Sequence, residues 1–336
     1  MNPLFDALTG SPELFPQAFD PQTDSVSLLR LTEADYAKAS FLDGRIVGSQ
    51  TMTRTVPFAE VEAAAEGLHE ASDYIFHIGH VGSTLLSRLL GAHPGIFALR
   101  EPAIFRTLAQ IRAQGGWDDA KFEAHLCAFL KLWSRVFRPG QRTLLKATSF
   151  VSELAPEILA RASQPKAIFM CVPPGDFLAS ILGAENSPRE AQIMAPSRAA
   201  RLNKRLGAGI RADTLSIGEM VAMGWACEMT ALAAASPERV LWLNFERFLA
   251  DPAAALVACF GHLGIGATPE QIKATVSGPD MRRYSKAQEF VYDAKLRADI
   301  LAQARAQCGV EIKRGMDWLE KAAANFPAIG AALAIK

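Results

Sequence analysis

The tightest constraint on this chain lies between residues 76 and 94, which read Phe76-His-Ile-Gly-His-Val-Gly-Ser-Thr-Leu-Leu-Ser-Arg-Leu-Leu-Gly-Ala-His-Pro. Tyr74-Ile-Phe-His-Ile-Gly has the pattern of a buried strand. The stretch that follows places Leu85, Leu86, Leu89 and Leu90 on one helical stripe. A strand that turns through glycine straight into a helix leaves successive N–H groups aimed at one spot. The helix dipole adds partial positive charge there, so the junction is an anion cradle. Gly79, His80, Val81 and Gly82 form its turn, and Gly82 lets the backbone approach a ligand without a Cβ clash. Ser83 and Thr84 add hydroxyl donors.

The junction is not that of a nucleotide hydrolase. The G-x-x-x-x-G-K-[ST] pattern would require Gly at His77 and Lys at Ser83, and both are missing. Without that lysine, or an acid placed to hold Mg²⁺, hydrolysis of ATP or GTP is not expected.

Further apolar runs follow at Thr143-Leu-Leu-Lys-Ala, Lys166-Ala-Ile-Phe-Met-Cys-Val and Val240-Leu-Trp-Leu-Asn-Phe, with helical stretches between them. This alternation predicts an α/β fold: a parallel sheet covered by helices on both faces. Beyond Asp251 the pattern is helical, over 252–263, 269–276, 287–308 and 312–324. Ahead of the sheet, residues 1–25 are rich in Pro, Asp, Gln and Ser and suggest an irregular lead-in. Residues 26–70 mix short apolar runs with an Ala/Glu-rich helix at 61–70. Two parts are therefore expected, an extension over 1–72 packed on a main domain over 73–336.

The 336 residues carry 35 basic and 35 acidic side chains, half are apolar and 21% are charged. Those proportions exclude a disordered or collagen-like chain, and the neutral total argues against a duplex-DNA binder. The zero is uneven, since residues 1–73 hold 12 acids against 4 bases. The positive remainder contains every candidate site residue, as an anionic ligand would require. The 5 cysteines form no Cys-x-x-Cys pair, which points away from a zinc ribbon or a disulfide framework. No secretory leader and no run of ~18–20 apolar residues is visible, so a cytoplasmic protein without a membrane span is expected.

Gly79-His80-Val81-Gly82-Ser83-Thr84 resembles the 5′-phosphosulfate loop of sulfotransferases, commonly Pro-(Arg/Lys)-Ser-Gly-(Ser/Thr)-Thr at the end of the first strand. Residues 85–94 are similar to the helix of the branch that includes tyrosylprotein and many bacterial sulfotransferases. Arg100-Glu101-Pro102 falls where that branch has a glutamate acting as general base. Phe245-Glu246-Arg247-Phe248-Leu249-Ala250-Asp251-Pro252 is a looser match to its Tyr-Glu-x-Leu-x-x-Asp-Pro turn. The resemblance covers residues 73–310. It implies a P-loop NTPase-like three-layer sandwich with a central parallel sheet and a helical C-terminal region. The implied activity is metal-independent transfer of a sulfuryl group from 3′-phosphoadenosine-5′-phosphosulfate to a hydroxyl or amine. The acceptor would be a small molecule, a carbohydrate or a peptide, and no nucleic-acid partner is implied. Glu101 would be the base, and Lys146 would reach the transferred group with Thr148 or Ser149 nearby. Residues 79–84, Ser180, Arg283 and Ser285 would hold the nucleotide.

Two departures bear on that expectation. His80 stands where the family has Arg or Lys. With an ordinary pKa of ~6.5 it acts either as a cation conditional on the bound donor or as a structural histidine bonding the loop. Val172 stands where the family has the arginine of its 3′-phosphate site, although Ser180 keeps the serine. Replacements are available in Arg189, Arg198, Arg201, Lys204, Arg205 and Arg211, or in Arg282-Arg283-Tyr284-Ser285-Lys286; either group also fits a solvated helix face. Glu101 equally fits a salt bridge with Arg100, and Lys146 an ordinary strand-end lysine. His77 fits a core histidine, His93 a helix cap, and Trp225, Trp242 and Trp318 core aromatics, with Trp225 also able to line a pocket. A non-catalytic scaffold retaining the fold would show the same departures. A kinase-like enzyme is disfavoured by the absent lysine.

Overall fold

The computed structural model describes residues 3–48, 53–285 and 289–335. The leading segment contains α1 (Pro3–Gly10), β1 (Leu14–Asp20), β2 (Ser25–Arg30), α2 (Glu33–Lys38), β3 (Thr53–Pro57) and α3 (Phe58–Ala65). Then come β4 (Ser72–His77), α4 (Ser83–Gly91), β5 (Ile96–Arg100), α5 (Ala103–Gln114), α6 (Asp119–Trp133) and β6 (Arg142–Lys146). They continue through α7 (Ala155–Leu159), β7 (Ala167–Cys171), α8 (Pro174–Leu182), α9 (Ser187–Leu206), α10 (Ile217–Ala233) and β8 (Val240–Asn244). The end is helical: α11 (Phe245–Ala250), α12 (Pro252–Leu263), α13 (Pro269–Ser277), α14 (Ala294–Asn325) and α15 (Pro327–Leu333).

The expected α/β class, parallel sheet and helical C-terminal region are all present. β4 to β8 form a parallel sheet in the order β5-β6-β4-β7-β8, and β4, β5 and β7 are buried at every residue. From β4 the chain steps outward to β5, then returns past β4 to β7 and β8. With the right-handed crossovers usual for parallel strands, that reversal calls for α4 on one face and the later connecting helices on the other. The carboxyl ends of the strands at this reversal are where open α/β sheets bind ligands. His77, Glu101, Lys146, Val172 and Phe245 all sit at or just past those ends.

The first 25 residues are not an irregular lead-in. α1 and β1 occupy them, and β1, β2 and β3 form an antiparallel sheet in that order. Pro16 is accommodated because β1 is an edge strand with a register shift between Pro16 and Ala18. The expected helix at 61–70 runs instead from Phe58 to Ala65. Buried arginines fasten this segment to the body through backbone carbonyls. Arg100 Nη1 donates to Tyr36 O at 2.9 Å and Ala39 O at 2.7 Å, and Arg135 donates to Ser11 O at 2.6 Å and Leu14 O at 2.9 Å. Burial without a carboxylate partner lowers both guanidinium groups to a pKa of about 10. His125 stacks on Phe58 at 3.6 Å and sits 2.9 Å from Asp24 Oδ1.

The two helices expected at 287–308 and 312–324 are one 32-residue helix, α14. Gly309, which breaks the sequence pattern, does not break the helix, because α14 packs tightly on α8 and α10. A Cβ at Gly315 would lie 2.2 Å from Leu178 Cδ2, and one at Gly218 would lie 1.9 Å from Glu311 O. Among the described residues no helix is long and apolar enough to cross a membrane.

Candidate active site

The turn after β4 has the geometry of an anion nest. Gly79, His80 and Gly82 have φ of +94°, +57° and +68°. Histidine is among the few non-glycine types that tolerate this region. Gly82 caps α4 with no side-chain hydrogen bond, so no side chain satisfies the first helical N–H groups. Ser83 and Thr84 are buried, and Thr84 Oγ1 has no hydrogen-bond partner among the described residues. Val81 points into the core and offers only its backbone. Phe245 closes on Gly82 so tightly that a Cβ there would lie 2.0 Å from its Cε2.

Glu101 follows β5 directly and also has a left-handed backbone, with φ +52°. Its N–H donates to Lys146 O at 2.7 Å, and its Oε1 pairs with Lys146 Nζ. Lys146 is fully buried and lines neither cavity described below; it stands behind the carboxylate. His77 Nδ1 accepts from the Gly79 N–H at 3.0 Å, which leaves the ring proton on Nε2, 3.9 Å from Glu101 Oε1. Arg100 makes no pair with Glu101, being committed to the carbonyls of the leading segment.

Two cavities meet at His77, His80 and Glu101. The first, about 490 Å³, takes in residues 80–85, Ser180, Phe245, the 281–285 segment and Arg297. The second, about 440 Å³, is bounded by α5, Thr148, Ser149, Phe177 and Arg198. Phe41, Asp43 and Arg45 complete its wall, so the acidic front, expected to hold no site residue, contributes one side of it. Arg45 is paired with Asp43 at 2.5 Å and lies 3.4 Å over the Phe41 ring.

The position expected for a 3′-phosphate arginine is closed. Val172 is buried, and its carbonyl accepts from Trp225 Nε1 at 3.2 Å, which makes Trp225 a core residue. The downstream bases do not replace it. Arg201 and Arg205 are held by Glu228 and Glu153, Arg211 pairs with Asp213, and Arg189 and Lys204 line neither cavity. Arg282, Arg283 and Ser285 do border the loop-side cavity, and the Ser285 carbonyl accepts from Arg88 Nε at 3.0 Å. Lys286 lies outside the described residues. Arg297, whose place in the helical pattern gave no signal, also reaches this cavity, paired with Glu246 at 2.7 Å over the Phe245 ring. His93 accepts from the Gly95 N–H at 3.1 Å and lines neither cavity. Among the described residues no group of three or more His, Cys, Asp or Glu is placed to hold a metal ion.

No protein-family profile matches this chain, and neither does any curated protein. Among solved structures it is similar to a sulfotransferase domain from the curacin biosynthetic pathway, with 15% identity over 72% of this chain and 99% of that one and a TM-score of 0.39. A sulfotransferase from Alicyclobacillus acidocaldarius shares 16% identity over 64% of this chain and 94% of that one, at a TM-score of 0.36. A mouse sulfotransferase complexed with PAP shares 13% over 82% and 92%, at 0.40. Likenesses this distant carry no functional assignment.

Proposed function

We propose that this protein transfers a sulfuryl group from 3′-phosphoadenosine-5′-phosphosulfate to an acceptor hydroxyl, through a P-loop-like turn at the edge of a three-layer domain spanning 73–336. The observation that carries this reading is the meeting of two cavities at Glu101, one opening from the anion nest and the other from a separate, partly apolar wall. Transfer between two bound molecules needs that layout, with alignment and charge stabilisation doing most of the catalysis. In the step, the acceptor oxygen bonds to sulfur and the bond from sulfur to the 5′-phosphate oxygen breaks. The acceptor proton passes to Glu101 and 3′,5′-adenosine bisphosphate leaves.

The N–H groups of residues 80–84 and the hydroxyls of Ser83 and Thr84 hold the 5′-phosphosulfate end, while Gly79, whose N–H is taken by His77, shapes the turn. His80 becomes a cation beside the bound donor and stabilises charge on the leaving phosphate. Ser180, Arg283 and Ser285 receive the 3′-phosphate in place of the residue lost at Val172. Lys146 keeps Glu101 aimed between the cavities and acts as a positioning residue, and the extension over 1–72 supplies one wall for the acceptor. The buried Val172 favours a second reading, a nucleotide-binding scaffold without turnover.

Thermal unfolding with 3′,5′-adenosine bisphosphate, 5′-AMP or ATP, with and without Mg²⁺, tests the donor site, since selective binding raises Tm. Stabilisation by the bisphosphate above the other two supports the proposal. An equal response to 5′-AMP removes the 3′-phosphate site, and preference for ATP with Mg²⁺ indicates a kinase-like enzyme. Bisphosphate binding with no turnover across hydroxylated acceptors identifies the scaffold.

A further inference from the structure

The arginine row on α9 is not a solvated face. Arg201 Nη2 donates to Glu228 Oε1 at 2.8 Å, Arg205 pairs with Glu153, and Arg198 Nε reaches Glu228 Oε1 at 3.3 Å. Glu228 is fully buried on α10 and also accepts from Ser152. The cluster therefore sets three guanidinium groups against two carboxylates. The neighbouring Cys227 does not restore balance, because burial pushes its thiol up to about 12 and keeps it neutral. Glu157, beyond the cluster, is taken by Arg112 at 3.3 Å. A buried surplus charge is costly unless a partner of opposite sign arrives.

The surplus sits at the cavity. Arg198 is the member of the row that lines the acceptor-side cavity, with its side chain only 14% exposed. Its bond to Glu228 uses Nε, and among the described residues neither Nη group has an acceptor. Arg106 on α5 borders the same cavity and, among the described residues, has no carboxylate within ion-pair distance. The acids there are otherwise engaged: Asp43 by Arg45 and Glu101 by Lys146, leaving exposed Glu190. An exposed, water-screened carboxylate offsets the field of a buried guanidinium only weakly.

Resting on the proposed transfer reaction, we propose that Arg198, with Arg106, receives a carboxylate carried by the acceptor, which is thus a small hydroxylated organic acid. The Nη fork matches a carboxylate in two parallel hydrogen bonds. Phe41, Phe177 and Val221 face the apolar body, and the hydroxyl end meets Glu101. A cavity of about 440 Å³ suits a single-ring acid and not a folded polypeptide.

Isothermal titration of the full-length protein with 3-(4-hydroxyphenyl)propionate, its primary amide and tyramine tests this, with and without 3′,5′-adenosine bisphosphate. The acid binds the wild type at least ~10-fold more tightly than the amide, a preference that R198M abolishes and R198K only partly keeps. Without ligand, R198M lowers Tm by less than R201M, because Arg201 still pairs with Glu228 at the shorter distance. Equal affinity for acid and amide overturns the inference. So does the absence of saturable acid binding, a preference that survives R198M, or tighter tyramine binding lost in E190Q. If the transfer reading alone is wrong, turnover is absent while the acid preference of the bisphosphate-free protein remains. If only this inference is wrong, turnover persists without that preference.

Discussion

Gly82→Ala separates the two constraints that the nest places on its backbone. Gly82 and Gly115 share a φ of +68°, and both flank helices, yet a Cβ at 82 would lie 2.0 Å from Phe245 Cε2 and one at 115 would meet nothing within 4 Å. Phe245 cannot simply swing aside, since it stacks on Phe248 with centroids 6.0 Å apart and carries the Arg297 guanidinium 4.7 Å above its ring. Left-handed backbone at a residue with a Cβ costs about 1–2 kcal/mol, and this applies to both variants. Overpacking against Phe245 adds a further ~1–3 kcal/mol at residue 82 only. Urea unfolding of G82A and G115A measures the difference directly. In a Phe245→Ala background the G82A penalty should fall to that of G115A, a coupling that a double-mutant cycle reports. The loop displacement in G82A should also weaken 3′,5′-adenosine bisphosphate binding by over ~10-fold, while G115A binds normally. Equal destabilisation by G82A and G115A within ~0.5 kcal/mol, or no coupling to Phe245, would refute the reasoning.

Lys146→Met leaves Glu101 facing its former partner's site and costs about 3–5 kcal/mol in urea unfolding, most of which K146M/E101Q recovers; no recovery would show that Lys146 matters for packing alone. Val172→Arg places an unpaired guanidinium in the core and lowers stability by ~3 kcal/mol or more. A stable V172R with tighter bisphosphate binding would mean that this position faces the nucleotide after all. Burial alone would raise the Glu228 carboxyl, but Arg201, Arg198 and the Ser152 hydroxyl hold it below its ordinary value. Its stabilisation is therefore complete above the unfolded carboxylate pKa of ~4.3 and disappears as pH falls through the lower folded value. E228Q should accordingly lose most stability at neutral pH and converge on wild type in acid, as pH-dependent denaturation would record; a constant gap at all pH values would contradict the pairing.

The nest and Glu101 were legible because local sequence encodes them. The strand, glycine turn and helix are contiguous over residues 72–91, and Glu101 needs only the end of the next strand for its placement. Long-range partners were not. His77 looks like a core histidine in an apolar strand, and only the turn back to Gly79 and the sheet order, with β5 one strand beyond β6, reveal its position beside Glu101. The arginines of α9 have the same pattern whether they face water or Glu228, because their partner lies on another helix. Arg297 and the wall at Phe41, Asp43 and Arg45 reach the cavities by tertiary packing that no local period records. The unbroken α14 has the same origin, since close contacts at Gly218 and Gly315 override the weak helix propensity of Gly309.

The central claim is that Glu101 takes a proton from a hydroxyl while the nest holds the phosphosulfate. Mass spectrometry of reactions containing 3′-phosphoadenosine-5′-phosphosulfate and hydroxylated organic acids, run beside E101Q, tests it most directly. The account predicts matched release of 3′,5′-adenosine bisphosphate and sulfated acceptor by wild type. E101Q should be slower by ~10²–10⁴-fold, with bisphosphate affinity unchanged. Sulfated product formed equally fast by E101Q, or none formed by a wild type that binds the bisphosphate, would contradict it.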